Sequence, residues 1–149
     1  MKKKKEFILI KNNGERINIL WNDYNSHENN ISILDYIEKN SELIKRRYIE
    51  LIEEIAFYKI NGKKLHEVFS IEKNFSYWWI TDVYEKSLYK HSSINEILKI
   101  LALEEIIKDN KITKILIKNF CEKIFKSVKQ ICKANQILLE GESKKLLNI

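Results

Sequence analysis

The amino-acid sequence predicts an α/β domain, and three patterns along the chain support this fold class. Two short apolar runs flank an Asn-Gly pair near the N-terminus, helical periodicity dominates the middle, and strand, helix and strand follow one another near the C-terminus. We therefore expect an N-terminal β-hairpin, a helical middle and a C-terminal βαβ unit. The 149 residues fit a single domain. Its expected parts are a basic tail over 1–5, a core over 6–140 and a flexible C-terminal tail over 141–149.

The N-terminal hairpin is predicted from its turn. Residues 7–10 form a short apolar run, residues 16–21 partly alternate between apolar and polar, and Asn13 and Gly14 lie between the two runs. Asn-Gly is the residue pair that tight hairpin turns prefer. The polar stretch that follows, residues 22–30, predicts a surface loop. This loop is either a solvated connection or a loop that contacts a ligand.

The helical middle is predicted from apolar residues at steps of three and four. These residues are Ile44, Tyr48, Leu51, Ile55 and Tyr58. The helical pattern covers residues 31–60, with a break expected near Asn40 and Ser41, and Ser41 is a suitable N-cap for the second part. We expect Asn61 and Gly62 to end the helix in the left-handed conformation. Residues 63–73 have apolar residues without a clear period and predict an irregular segment with one short helix or strand.

The densest aromatic run lies at residues 74–87 and holds Trp78 and Trp79. A helix over this stretch would be apolar nearly all round, and helices of that kind lie inside a domain. We therefore expect this helix at the centre of the core, with both tryptophans as anchors of the fold.

The same helix would place two carboxylates, Asp82 and Glu85, in largely buried surroundings. A buried carboxylate needs a partner, which Lys86, Lys73 or Lys90 can supply. Perturbed acids beside a partner are candidates for catalysis, so Asp82, Glu85 and Lys86 are the candidate catalytic residues. The alternative is an ordinary buried ion pair.

A further helix is predicted to begin at Ser93. The residues from Ser93 to Glu96 have the Ser-x-x-Glu form of a capping box, and the helix should run to about Asn110. The β-branched residues 112–117 then predict a strand, and residues 137–140 predict another. With the amphipathic helix between them, these strands form a βαβ unit with parallel strands and a right-handed crossover.

The carboxyl end of the first of these strands is the predicted ligand-binding site, at Lys118 and Asn119. Ligands of open α/β sheets bind beyond the carboxyl ends of the strands. We expect the helix to begin at Asn119, where its free backbone amides suit an anionic or hydroxyl-rich ligand. The alternative is an ordinary helix cap.

Cysteines, histidines and glycines indicate neither a metal site nor a cofactor. Cys121 and Cys132 are too far apart on one helix to form a disulfide, and both are expected to be buried and reduced. His27, His66 and His91 are scattered, without the spacing of a zinc site. With three glycines in the whole chain, a glycine-rich phosphate loop is not expected.

The net charge of +6 raises the question of nucleic acid as a partner. We do not expect tight binding of duplex DNA, because the basic residues are dispersed among acidic ones. The amphipathic helix nevertheless has a lysine face, formed by Lys123, Lys126, Lys129 and Lys133. No apolar run is long enough for a membrane span, and the N-terminal run is too short for a signal peptide, so the sequence predicts a cytoplasmic protein.

Three segments carry a resemblance to a known family: Phe-Ser-Tyr-Trp-Trp at 75–79, Glu-Lys-Ser at 85–87 and Ile-Leu-Lys-Ile-Leu-Ala-Leu-Glu at 97–104. They resemble the N-terminal region of bacterial surface-carbohydrate biosynthesis proteins from O-antigen and capsule loci. The similarity covers residues 35–137, and its motif is an aromatic and helical pattern without a catalytic signature.

The resemblance implies a function for the chain. The family is similar to glycosyltransferases of the GT-B type, which are built from two Rossmann-like halves, so the chain would be an incomplete Rossmann-like domain on the acceptor side. Transfer to a sugar acceptor would then require a second glycosyltransferase-like domain or chain for the nucleotide-sugar donor. The alternative function is a non-enzymatic binding module whose lysine face meets nucleic acid or an anionic surface.

Overall fold

The computed structural model describes residues 7–12, 15–24, 29–73, 75–81, 92–110 and 112–143. In chain order the elements are β1 (Phe7–Asn12), β2 (Glu15–Leu20), β3 (Asn30–Ser32), α1 (Ile33–Lys39), α2 (Ser41–Phe57), β4 (Lys59–Ile60), β5 (Lys63–Lys64), α3 (Leu65–Val68), β6 (Ser70–Glu72), β7 (Phe75–Ser76), a 3-10 helix (Tyr77–Ile80), α4 (Ser92–Asp109), β8 (Lys114–Lys118), α5 (Glu122–Ala134) and β9 (Leu138–Glu142). The α/β class is confirmed.

The chain divides into two compact units. The first comprises Met1–Asn40 and Lys99–Ile149, and the second is Ser41–Leu98. Helix α4 therefore begins in the second unit and ends in the first. That the chain is a single domain stays a prediction.

The first unit contains a mixed five-stranded sheet with the order β3-β2-β1-β8-β9. The predicted hairpin is confirmed, since β1 and β2 pair antiparallel. Strand β1 also pairs antiparallel with β8, whereas β2 with β3 and β8 with β9 are parallel pairs. Four strands therefore run in one direction, and the central strand β1 runs against them.

One face of this sheet is made of isoleucines. The strand register aligns Ile8 with Ile19 and Ile117, and Ile10 with Ile115, and all five side chains are fully buried. Alternation along each strand explains this, because residues two apart lie on the same face. Buried apolar residues of α1, α4 and α5 complete the core of this unit, among them Ile33, Leu103, Ile106, Val128 and Cys132.

The predicted βαβ unit is confirmed as β8, α5 and β9. Its two strands are parallel, with Ile117 opposite Gly141. Strand β9 continues through Gly141 to Glu142, which is two residues farther than the predicted strand. Residues 144–149 of the predicted tail lie outside the described part of the chain.

The second unit begins with α2. The predicted break is confirmed, because α1 ends at Lys39 and α2 begins at Ser41. The predicted stop at Asn61 and Gly62 is wrong. Helix α2 ends earlier, at Phe57, and these two residues, with φ of 51° and 84°, form the turn between β4 and β5. Positive φ at both turn residues is what a two-residue hairpin requires, so the Asn-Gly signal belongs to a second hairpin.

The aromatic run does not form the expected central helix over its described residues. Phe75 lies in β7, which pairs with β6, and a single 3-10 turn follows. Ser76 explains the change, because its Oγ accepts a hydrogen bond from the Trp78 backbone N–H and donates one to the His66 carbonyl. Trp78 is 6% exposed, but Trp79 is 37% exposed, so only Trp78 is a buried anchor.

Candidate ligand site at the carboxyl edge of the sheet

The strand directions bring several chain segments to one edge of the sheet. Strands β2 and β8 both oppose β1, so they share a direction with each other and with their parallel neighbours β3 and β9. The carboxyl ends of four strands therefore meet at one edge. Trp21 and Asn22 follow β2 there, and Asn119 and Phe120 follow β8. This is the edge at which α/β sheets bind ligands.

Two aromatic rings join these strand ends. The Trp21 and Phe120 rings meet edge to face, with centroids 5.2 Å apart and an interplanar angle of 89°. Both side chains are buried. Such a pair stabilises the fold beyond the area that it buries, so the segments after β2 and β8 are held together at this edge.

A buried lysine lies beside these rings. Lys99 of α4 is 8% exposed, and its Nζ donates a hydrogen bond of 2.7 Å to Asn22 Oδ1. The same Nζ lies 5.7 Å from the centroid of the Trp21 ring. A side-chain amide oxygen and an aromatic face both favour an ammonium group and offset part of the cost of removing it from water. The edge thus holds a cation in a defined position.

Sequence reasoning missed Lys99 as a site residue and included Asn22 only as the first residue of a loop that could contact a ligand. A signal for Lys99 exists, because it is the single charged residue within the apolar run at 97–103. A lysine at such a position is buried only when polar or aromatic groups receive its ammonium. No local signal identifies Asn22 as its partner, since 77 positions separate the two residues.

The predicted site residues Lys118 and Asn119 do lie at this edge. Lys118 is the last residue of β8 and is exposed. Asn119 has a φ of 66°, a left-handed conformation that asparagine tolerates better than most residues. The structure therefore brings both residues to the edge that also holds Lys99.

The helix start expected at Asn119 is wrong. Helix α5 begins at Glu122, and its N-cap Cys121 makes no side-chain hydrogen bond to the helix. The left-handed turn at Asn119 and the buried Phe120 delay the helix by three residues. Glu122 then places its own carboxylate at the helix start, and an ion pair of 2.7 Å with Lys126 lowers the pKa of Glu122. A carboxylate in the first turn of the helix disfavours an anionic ligand at the same place.

Comparisons of the chain with protein-family models, with curated proteins and with solved structures found no match.

Two tyrosines position α1 beside the edge. Tyr24, after β2, donates a hydrogen bond of 3.0 Å to Glu38 of α1, and this bond raises the pKa of Tyr24. Tyr36 of α1 donates one of 3.1 Å to Asp109 at the end of α4. Burial and this bond raise the pKa of Tyr36 to about 12. Both phenols therefore stay protonated near neutral pH and act as hydrogen-bond donors, which ties the post-β2 segment and α4 to the same short helix.

The candidate catalytic residues Asp82, Glu85 and Lys86 lie outside the described residues. Within the described part of the chain, no group of three or more His, Cys, Asp or Glu residues could hold a metal ion. None of the described helices has the length and apolar character needed to cross a membrane.

The two thiols differ, contrary to the expectation that both are buried. Cys121 is exposed, because it lies at the N-cap of α5, before the amphipathic pattern of the helix begins. Cys132 is buried on the apolar side of α5, and burial raises its pKa to about 11. The raised pKa makes Cys132 a poor nucleophile, since activation of a thiol requires a lowered pKa.

Proposed function

We propose that the chain is the acceptor-side part of a glycosyltransferase-like protein of surface polysaccharide biosynthesis. In this proposal the carboxyl edge of its sheet binds a phosphate-bearing or hydroxyl-rich ligand. Transfer requires a second glycosyltransferase-like domain or chain, which supplies the donor-binding half. The class of protein rests on the sequence resemblance, and the place of binding rests on the geometry.

The observation that carries the place of binding is the buried Lys99 ammonium at this edge. It is oriented by Asn22 and lies beside the Trp21 ring. A cation with restricted motion binds an anionic oxygen more strongly than a mobile surface lysine does, because less side-chain entropy is lost. Lys118 and Asn119 lie at the same edge and add an ammonium and an amide.

The Rossmann-like part of the proposal rests on the βαβ unit of β8, α5 and β9. Parallel strands joined by a helix are the building unit of Rossmann-like sheets. The antiparallel β1 at the centre of the sheet differs from an all-parallel arrangement. It leaves the carboxyl edge in place, because the other four strands share one direction.

The proposal is tested by chemical-shift mapping on the full chain with inorganic phosphate, UDP and UDP-glucose. We expect perturbations at Asn22 and Asn119, which disappear in Lys99→Met. This variant keeps an unbranched side chain of similar length and removes the charge together with the hydrogen bond to Asn22. Lys123→Met on the exposed side of α5 is the matched control and should bind as the parent does.

Two outcomes would count against the proposal. Perturbations at the lysine face of α5 without perturbations at the edge would favour the alternative, a binding module for anionic surfaces. The charge on that face is mixed, since Lys126 pairs with Glu122, so we favour the edge. Unchanged binding by Lys99→Met would show that the buried lysine only stabilises the fold.

A further inference from the structure

The second unit exposes an unusual amount of apolar surface. The described large apolar side chains that are 37–67% exposed fall mainly between Phe57 and Ile80. We call these residues the aromatic surface: Phe57, Tyr58, Ile60, Val68, Phe69, Ile71, Phe75, Tyr77, Trp79 and Ile80. Single exposed apolar residues are ordinary, but a cluster of this size is typical of a binding surface.

Contacts link several of the segments that carry the aromatic surface. The His66 ring lies 5.1 Å from the Phe57 ring and 5.7 Å from the Trp79 ring, which joins the end of α2 to the 3-10 helix through α3. The Tyr77 backbone N–H donates a hydrogen bond of 2.9 Å to the Phe69 carbonyl. The segments are therefore neighbours in space as well as in sequence.

The area fits one side of a protein interface. An aromatic side chain buries about 150–250 Å² when it is fully covered. Because the ten residues are about half exposed, they offer on the order of 800 Å², which matches the ~800 Å² that each partner contributes to a standard interface. The largest apolar patch on a typical monomer is smaller, about 300–600 Å².

Charge indicates which partner can cover this surface. The second unit, Ser41–Leu98, has nine basic and nine acidic residues, so the net charge of +6 belongs to the remainder of the chain. Two copies that meet through this unit do not repel each other by net charge, and a net charge near zero favours association. Exposed residues of both signs occur in the same segments as the surface, among them Lys63, Glu67 and Glu72. They can pair across a two-fold axis.

We propose that the aromatic surface is an interface between two copies of this chain, related by a two-fold axis. This inference is independent of the proposed function, because it uses none of the residues at the carboxyl edge. Each copy covers the other's half-exposed rings, including Trp79.

The test is sedimentation velocity of the full chain over the micromolar range. We expect a species of twice the chain mass of 17.9 kDa that dissociates on dilution. The double variant Tyr58→Lys and Ile71→Lys should be monomeric, because it adds two charges per copy to the most exposed positions of the surface. The matched control is Leu138→Lys, an exposed apolar residue of β9 outside the surface, and it should remain dimeric.

A monomeric parent over the whole range would overturn the inference and leave the surface to a different protein or to a saccharide. A dimer that survives the double variant, or that only Leu138→Lys dissociates, would also overturn it. If the double variant loses its far-UV circular dichroism, it is unfolded, and dissociation of the parent on dilution is then the test of the interface. Tryptophan emission should shift to longer wavelength on dilution, as Trp79 returns to water, and a constant spectrum would refute the interface.

Discussion

Gly141→Ala is expected to weaken the pairing of β9 with β8. Gly141 has a φ of 123°, and a Cβ at this position would overlap the carbonyl oxygen of Ile117, its partner in the register. Gly62 provides a matched control within the same chain. It also has a positive φ, 84°, but nothing lies within 4 Å of an added Cβ.

Alanine variants of the two glycines separate the free-energy cost of a positive φ from the cost of steric overlap with a neighbouring strand. Alanine at Gly62 adopts an unfavourable left-handed conformation, at about 1–2 kcal/mol, and recovers about 0.4–1 kcal/mol because the unfolded chain loses freedom. We expect a net loss of about 1 kcal/mol. At Gly141 the strand must also move away from Ile117. Losing one or two ladder hydrogen bonds at ~1 kcal/mol each, in addition to the backbone strain, gives a total of about 3–4 kcal/mol.

Urea unfolding followed by far-UV circular dichroism measures both variants. The free energies of unfolding should differ by about 2 kcal/mol or more, with similar denaturant slopes. The amide resonance of Ile117 should move in Gly141→Ala and stay in place in Gly62→Ala. Equal stabilities of the two variants would show that β9 does not pair with β8 in this register, and the carboxyl edge would then lose one of its four strands.

Three further predictions follow from burial and hydrogen bonding. Trp78→Ala should lower the free energy of unfolding by about 3–5 kcal/mol, as measured by urea unfolding. Trp79→Ala should lower it by only about 1 kcal/mol in the monomer, because Trp79 is more exposed. A bulky maleimide should label Cys121 much faster than Cys132, because a rise in pKa from 9.0 to about 11 alone reduces the Cys132 thiolate about 100-fold; equal rates by mass spectrometry would contradict this. Tyr36 has a pKa of about 12 when folded and 10.0 ordinarily, so its stabilising effect is complete below pH 10 and is lost as the pH rises toward 12. Tyr36→Phe should show a shallower loss of stability over that range. The same loss as in the parent would refute the attribution of this pH dependence to Tyr36.

Local patterns predicted the elements whose signals are short-range. The Asn-Gly pair after β1, the break at Asn40 and the strand at β8 each depend on residues within a few positions of one another. The Asn61-Gly62 pair shows the limit of such signals. The same two residues end a helix or turn a hairpin, and the choice depends on whether the flanking residues pair as strands, here β4 and β5.

The aromatic run failed as a predicted helix for a different reason. Aromatic residues favour strands about as readily as buried helices, so composition does not distinguish the two. The deciding contacts are the Ser76 hydroxyl with the His66 carbonyl and the pairing of β7 with β6. Burial of Trp78 but not Trp79 follows from that geometry, and helical periodicity could not predict it.

The candidate site could be located only in part, because its position depends on the order of the strands. The βαβ pattern was sufficient to place Lys118 and Asn119 at a carboxyl edge. It did not place β2 there, since a hairpin can join the sheet through either of its strands. Because β1 is the strand that pairs with β8, β2 runs parallel to β8 and ends at the same edge.

This single pairing assembles the site. It brings Asn22 from the end of β2 to the edge where β8 ends, and the Trp21 ring to Phe120, 99 positions later in the sequence. Lys99 then has an amide oxygen and an aromatic face to receive its ammonium. If β2 instead paired antiparallel with β8, Asn22 would lie at the opposite edge. The antiparallel β1 at the centre of the sheet is therefore the feature that gives the buried lysine its polar partner.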